Sequence, residues 1–272
     1  MSDAPRSAFE AWTGALVERH MTALTRSEFL RAMRALSARY VEQRHDLATR
    51  SPLDSAGKRA AFAVLYGPIH YATTLAIVRG LGLEARLVDR IVDLGCGAGA
   101  ASAAWASALS PSPAIEGIDQ QPWAVTEAGW TWRTLGVAGR ARRGDLLTEA
   151  ARLSRRGQEP SRIGVLAAWS VNELPLPARA ALKDRLLGLG DRGAPVLVIE
   201  PLSGRAAPWW DEWTEAFVAA GGRADRWRAP NTLPGALRAL DRDAGFDRPD
   251  LVARSLLLAS RTARHLRATI DL

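Results

Sequence analysis

The run Ile91-Val92-Asp93-Leu94 leads directly into Gly95-Cys96-Gly97-Ala98-Gly99, and Ala100-Ala101-Ser102-Ala103-Ala104-Trp105 follows. An apolar run, a turn with three glycines in five residues and an alanine-rich stretch read as a strand, a tight connection and a helix. Glycine takes positive φ at little cost and lets the backbone pass close to a ligand. Such a connection lies at the carboxyl end of its strand, where open α/β sheets bind their ligands. This one segment therefore constrains both the fold and the place of the site.

Downstream of it the pattern repeats. Short β-rich runs over 87–94, 114–118, 138–142, 163–169, 196–199, 224–227 and 252–259 alternate with helical stretches over 100–109, 122–135, 177–189, 208–220 and 234–241. Alternation of this kind predicts βαβ units and a mostly parallel sheet of seven strands. Upstream the reading is helical. Ser7 to Glu10 and Thr25 to Glu28 are capping-box patterns that open helices. Phe29, Met33, Leu36 and Tyr40 share one face of the second. Helices are expected over 56–66 and 69–81, with a break at Gly67-Pro68. Residues 1–85 are read as a helical extension that serves as a lid, and 86–272 as the ligand-binding domain.

Three acids fall where the strands end. Asp93 stands two residues before Gly95, where a carboxylate can hold a cationic amino group, directly or through water. Asp119 ends the next strand, at a spacing from which an acid can accept both hydroxyls of a ribose, with Gln120 and Trp123 beside a base. Asp145, in Gly144-Asp145-Leu146, can accept from an amino group on that base while Leu146 packs on its ring. Each alone has a plainer explanation: a tight strand–helix connection for the glycines, a helix N-cap for Asp119 and Asp145. Gly95-x-Gly97-x-x-Ala100 also satisfies a loose dinucleotide fingerprint, but Asp93 would repel a pyrophosphate.

Together these residues resemble class I S-adenosylmethionine (SAM)-dependent methyltransferases. Val92 to Gly99 looks like their first motif, Asp119 like the second-strand acid and Asp145 like the adenine contact. The resemblance runs from about residue 85 onward and implies a Rossmann-like seven-stranded sheet whose final hairpin is reversed. It implies SAM as cofactor, with Asp93, Gly95, Cys96, Gly97, Gly99, Asp119, Gln120, Asp145, Leu146 and Trp169 around it. A narrower resemblance is to the mitochondrial small-ribosomal-subunit-associated methyltransferase-like family and its bacterial relatives. It rests on Leu36 to Tyr40, Trp169 to Leu174 and Val198 to Gly204. The mitochondrial members carry cysteines that bind a metal cluster, and the matching stretch here, Arg228 to Pro234, has none.

Methyl transfer from a sulfonium is an in-line displacement, so the protein must align the acceptor and exclude water. The acceptor is expected near the end of the fourth strand, at Trp169, Ser170, Asn172 and Glu173. Glu173 is the candidate to take a proton or bind an amine, and Asn172 the candidate to orient the acceptor; capping of the next helix is the plainer role for both. His70 is a second candidate base, with Tyr66 or Tyr71 lining the pocket. The Asn-Pro-Pro-Tyr type of motif found in many enzymes that methylate bases is absent. Trp209, Trp210 and Trp213 share a helical face and are expected to pack on the sheet, while Trp130 and Trp132 serve separate packing roles.

Composition narrows the remaining classes. Of the 272 residues 47% are hydrophobic, enough for a full core, and the longest apolar runs fall short of a membrane span, so a cytoplasmic protein is expected. Cys96 is the only cysteine, and His20, His45, His70 and His265 are scattered, so no metal site is expected. The net charge of +7 invites a nucleic-acid partner, with Arg140, Arg142, Arg143, Arg152, Arg155 and Arg156 as the densest group. The basic residues are nearly all arginine and spread along the chain, Lys58 and Lys183 being the only lysines. The favoured expectation is methylation of a small molecule or peptide. The alternative is an rRNA methyltransferase or a ribosomal small-subunit assembly factor.

Overall fold

The apolar runs of the second part form one sheet: β1 (Arg90–Leu94), β2 (Ala114–Asp119), β3 (Gly139–Arg143), β4 (Ile163–Ala168), β5 (Val196–Glu200), β6 (Arg223–Pro230) and β7 (Asp250–Leu258). The structure, a computed structural model, describes residues 3–42, 53–155, 159–202 and 207–259. Arg156, Ser203, Gly204, His45 and His265 lie outside these. The strand order is β3-β2-β1-β4-β5-β7-β6. β1 to β5 pair in parallel, whereas β7 runs antiparallel between β5 and β6. This is the seven-stranded sheet with a reversed final hairpin that the resemblance implies.

The central strands are apolar on both faces because helices cover both. Ile91, Ile115, Leu166 and Leu197 point into one core, Val92, Ile118, Val165 and Val196 into the other. The second core is closed by α7 (Leu146–Leu153), α8 (Leu176–Asp191) and α9 (Trp210–Ala219). The first is closed by α5 (Ala100–Ala108), α6 (Pro122–Thr134), α10 (Gly235–Asp243) and the N-terminal helices. Trp12, Leu16, Phe29, Met33 and Leu36, all 0% exposed, belong to the same core as Ile91 and Leu166, so helices α1 (Asp3–Met21) and α2 (Arg26–Glu42) continue it. The side chain of Tyr40, expected on the same face, lies outside the described part. Trp209, Trp210 and Trp213 are buried in the second core, as their shared face requires.

The Thr25–Glu28 box forms reciprocally: Thr25 N–H donates to Glu28 Oε2 at 2.8 Å, and Glu28 N–H to Thr25 Oγ1 at 3.3 Å. The box at Ser7 does not open a helix, because α1 already begins at Asp3. Nor does Gly67-Pro68 break the next one. α3 (Ala56–Ala61) passes through a π-helical turn (Phe62–Tyr66) into α4 (Gly67–Gly80), with Gly67 N–H donating to the Phe62 carbonyl. The wider turn makes room for the proline ring, which has no N–H to donate. By length and composition 56–80 is apolar enough to cross a membrane; in the fold most of its surface is packed inside. Helix α7 was not expected, and Asp145 begins it.

Candidate active site

The glycine turn is built by its neighbours. Gly95 and Cys96 donate to the Ile118 carbonyl at 2.8 and 3.0 Å, tying the turn to β2. Gly95, Gly97 and Gly99 have φ of +82°, +50° and +77°, the left-handed region that costs other residues free energy. Gly95 also faces Ser170, whose Cβ lies 2.6 Å from where a glycine Cβ would stand. Gly99 stays out of the cavity. Its carbonyl accepts from Trp132 Nε1 at 2.8 Å, and the Trp132 ring fills the spaces left by Gly99, Gly117 and Gly139. Trp132 is thus the buttress of the turn, a role that its position in a helix does not announce.

In front of the turn lies a cavity of about 660 Å³, within the usual range of roughly 300–1,000 Å³ for ligand pockets. Asp93, Gly95, Cys96, Gly97, Asp119, Gln120, Leu146 and Trp169 all line it, as do His70, Asn172 and Glu173. Gly99, Asp145 and Tyr71 do not. Asp145 caps α7 instead, its Oδ1 accepting from Thr148 N–H at 2.8 Å and from the Thr148 hydroxyl at 2.9 Å. Its Oδ2 accepts from Gln120 Nε2 at 3.3 Å. The plainer of the two readings of Asp145 is the one realised. Tyr71 is packed between Phe9 and Trp12, 5% exposed, on the core side of α4.

Asp93 is 1% exposed, and neither carboxylate oxygen has a hydrogen-bond partner within ordinary geometry. Burial pushes its pKa up to about 7; the neighbouring Ser102 hydroxyl and N–H offset this only in part, and the charge of Asp119 adds to it. Asp119 accepts from Gly97 N–H at 2.9 Å and from Gln121 N–H at 2.8 Å. Burial raises its pKa as well, against those backbone donors. Each of its oxygens keeps a further lone pair for a ligand hydroxyl. Cys96, buried beside these acids, has its thiol pushed well up and so stays protonated.

Across the cavity stands the β4–α8 loop. Trp169 takes φ +57°, a left-handed backbone that a bulky side chain adopts only when its surroundings enforce it, at a cost of about 1–3 kcal/mol. Its ring stacks on His70, centroids 3.8 Å apart and planes 7° from parallel. Burial lowers the His70 pKa to about 3, so the imidazole is neutral and too weak a base to take a proton near neutral pH. His70 is a wall of the cavity rather than its base. Asn172 is committed as well. It donates through Nδ2 to Glu200 and accepts through Oδ1 from Trp209 Nε1 at 3.0 Å, holding the loop instead of turning to an acceptor. Glu173 lines the cavity and is exposed; the protein crowding its carboxyl, and after it the charge of Asp119, push its pKa up to about 7.

Of the arginine group expected as a phosphate surface, two members are engaged in ion pairs. Arg142 and Arg152 pair with Glu149, and Arg90 and Arg152 with Glu116. Inside the cavity, Arg248 is the one Arg or Lys among the described lining residues, against Asp93, Asp119, Glu173 and Asp250. Arg248 is itself held by Asp241, through Nη1 at 2.5 Å and its N–H at 3.0 Å. Among the described residues no group of His, Cys, Asp and Glu is arranged to hold a metal ion.

No protein-family model matches the chain, and no curated protein does. Solved structures similar to it include the O-methyltransferase TomG from Streptomyces achromogenes in complex with SAM, at 17% identity over 92% of this chain and 98% of that one, TM-score 0.44. A SAM-dependent methyltransferase from Aquifex aeolicus is similar at 13% identity over 70% and 92%, TM-score 0.44. The plantazolicin methyltransferase BamL, in complex with a triazolic desmethylPZN analog and SAH, is similar at 11% identity over 83% and 97%, TM-score 0.45. At these values likeness assigns no activity to this chain. The narrower ribosomal resemblance gains nothing from them.

Proposed function

We propose that this chain is a SAM-dependent methyltransferase that passes a methyl group to a small-molecule or peptide acceptor. The observation that carries the reading is Asp93: a buried carboxylate with only Ser102 as a neighbouring donor, outside ordinary hydrogen-bond geometry, on the wall of a cavity whose acids outnumber the one, already paired arginine among its described lining residues. Isolated buried charge is costly, and a cation relieves it. The ligand that fits is positively charged and free of phosphate, which favours SAM over a dinucleotide.

In this reading Asp93 holds the ammonium of the methionine portion and the Gly95–Gly97 backbone lies beneath it. Asp119 accepts the ribose hydroxyls on its remaining lone pairs, and Gln120 and Leu146 stand at the base. SAM supplies an electrophilic methyl carbon on a cationic sulfur. Glu173 takes the proton of the acceptor O–H or N–H; the freed electron pair bonds to the methyl carbon as the carbon–sulfur bond breaks with its pair going to sulfur, leaving S-adenosylhomocysteine. A base with pKa near 7 suits that task, because it is ionised in good part at neutral pH and still basic enough to accept. Trp169 and His70 exclude water from the face opposite the turn.

Titration calorimetry with S-adenosylhomocysteine tests this. The full chain should bind it, and Asp119→Ala should weaken binding by about tenfold or more, since hydrogen bonds to a charged group are worth about 1.5–3 kcal/mol. Unchanged affinity in the variant would remove the ribose assignment and with it the reading.

A further inference from the structure

The helix that carries the π-helical turn presents an aromatic face to the cavity. Phe62, Tyr66 and His70 follow one another at four-residue intervals, and all three line the cavity. Phe62 lies 6.2 Å from Tyr66 and 6.0 Å from His70, ring centre to ring centre, and Tyr66 lies 6.1 Å from His70. His70 in turn stacks on Trp169. Phe62 reaches to the glycine turn, its Cζ 3.3 Å from where a Cβ on Gly97 would be. A continuous aromatic wall thus runs from above the turn to the end of β4. π-Turns of this kind recur at functional sites because they re-aim side chains that an unbroken α-helix would carry past the target.

The charges on this side are neutralised or acidic. Arg248 is tied to Asp241, and Asp250 to Arg228 at 2.6 Å. Arg248 also meets the Tyr66 hydroxyl, and the partly exposed imidazole of His70 is neutral. Aromatic side chains hold flat rings by offset and edge contacts, whereas a phosphate or sulfonate would meet Glu173 and Asp119 here without a free arginine to receive it.

Resting on the methyltransferase reading, the geometry points to the acceptor's class: a flat, uncharged aromatic hydroxyl or amine, lying against the wall of Tyr66, His70 and Trp169 with its nucleophilic atom turned to Glu173. Tyr66 is a specificity residue for that acceptor rather than a catalytic one. A phosphate or sulfonate on the ring is disfavoured in the chamber.

The test uses the full chain saturated with S-adenosylhomocysteine and titrated with 2-naphthol, with naphthalene-2-sulfonate as the anionic counterpart of the same ring, followed by saturation-transfer NMR. We expect 2-naphthol to bind at least tenfold more tightly than the sulfonate. Tyr66→Leu should weaken 2-naphthol roughly five- to tenfold, the worth of one aromatic contact, while S-adenosylhomocysteine affinity holds. Ile69→Trp, which fills the same chamber without removing an aromatic ring, should also block 2-naphthol and serves where Tyr66→Leu folds poorly. Equal binding of the two probes, no binding of 2-naphthol, or loss of neither in the two variants overturns the acceptor class and leaves the cofactor reading standing. Failure of S-adenosylhomocysteine to bind at all overturns the cofactor reading first, and the acceptor class falls with it.

Discussion

A carboxylate that is 1% exposed, with only Ser102 as a neighbouring donor outside ordinary hydrogen-bond geometry, has given up the hydration of its charged form, which is why burial lifts Asp93 to about 7. The folded chain therefore holds that proton more tightly than the unfolded chain, whose aspartate titrates near 3.8. Without ligand, the contribution of Asp93 to stability should fall as pH rises from about 4 to about 7, and its loss should be complete above that. A cationic ligand reverses the balance by favouring the ionised form. SAM affinity should accordingly rise between pH 5.5 and 7.5, by up to about tenfold per unit for each proton released. Calorimetry across that range checks it, with Asp93→Asn flattening the curve and Glu173 retaining a smaller share. An affinity that does not change with pH, or that falls, would contradict the role given to Asp93.

Among the elements, the glycine turn depends on a helix it does not belong to. Trp132 of α6 packs over Gly99 of the turn, Gly117 of β2 and Gly139 of β3. A Cβ on Gly117 would stand 2.5 Å from the Trp132 ring and 2.9 Å from Cys96 Sγ. Gly117→Ala should cost about 1–3 kcal/mol in chemical denaturation, the usual range for overpacking. It should also weaken cofactor binding by displacing the Gly99 carbonyl that Trp132 holds. An unchanged denaturation midpoint would show that the ring has room to move. This partnership was not legible in the sequence, because three glycines far apart in the chain give no sign that one indole fills the space of all. Strand ends, the turn and the Thr25–Glu28 box were legible, since each is fixed by residues close together in sequence. Gly67-Pro68 misled for the opposite reason: local chemistry forbids a regular α-helix there, and the tertiary core holds the chain helical through a π-turn. Asp145 satisfied two readings at once, and the structure shows the cap, through Thr148. Tyr71 and His70 are neighbours in sequence, yet helix geometry turns one to the core and the other to the cavity.

At the scale of the whole molecule, both edges of the sheet are rich in arginine. β3 carries Arg140, Arg142 and Arg143 at one edge, and β6 carries Arg223, Arg226 and Arg228 at the other. Charged edge strands resist pairing with a second sheet, so part of the net charge of +7 has a structural use. The N-terminal helices share a hydrophobic core with one face of the sheet. They bring Phe62, Tyr66 and His70 over the ends of β1 and β4, so the extension supplies one wall of the cavity whose other wall is the glycine turn. His20 and Arg19 of α1 also reach the buried Glu127 of α6, at 2.7 and 3.3 Å, which fastens α1 to α6. The central claim is that this one cavity encloses a phosphate-free nucleoside cation. A crystal structure grown with S-adenosylhomocysteine tests it most directly. The ligand's ammonium is expected at Asp93, its ribose hydroxyls at Asp119 and its sulfur facing Glu173; a ligand seated elsewhere, or those residues facing different cavities, would overturn this assignment.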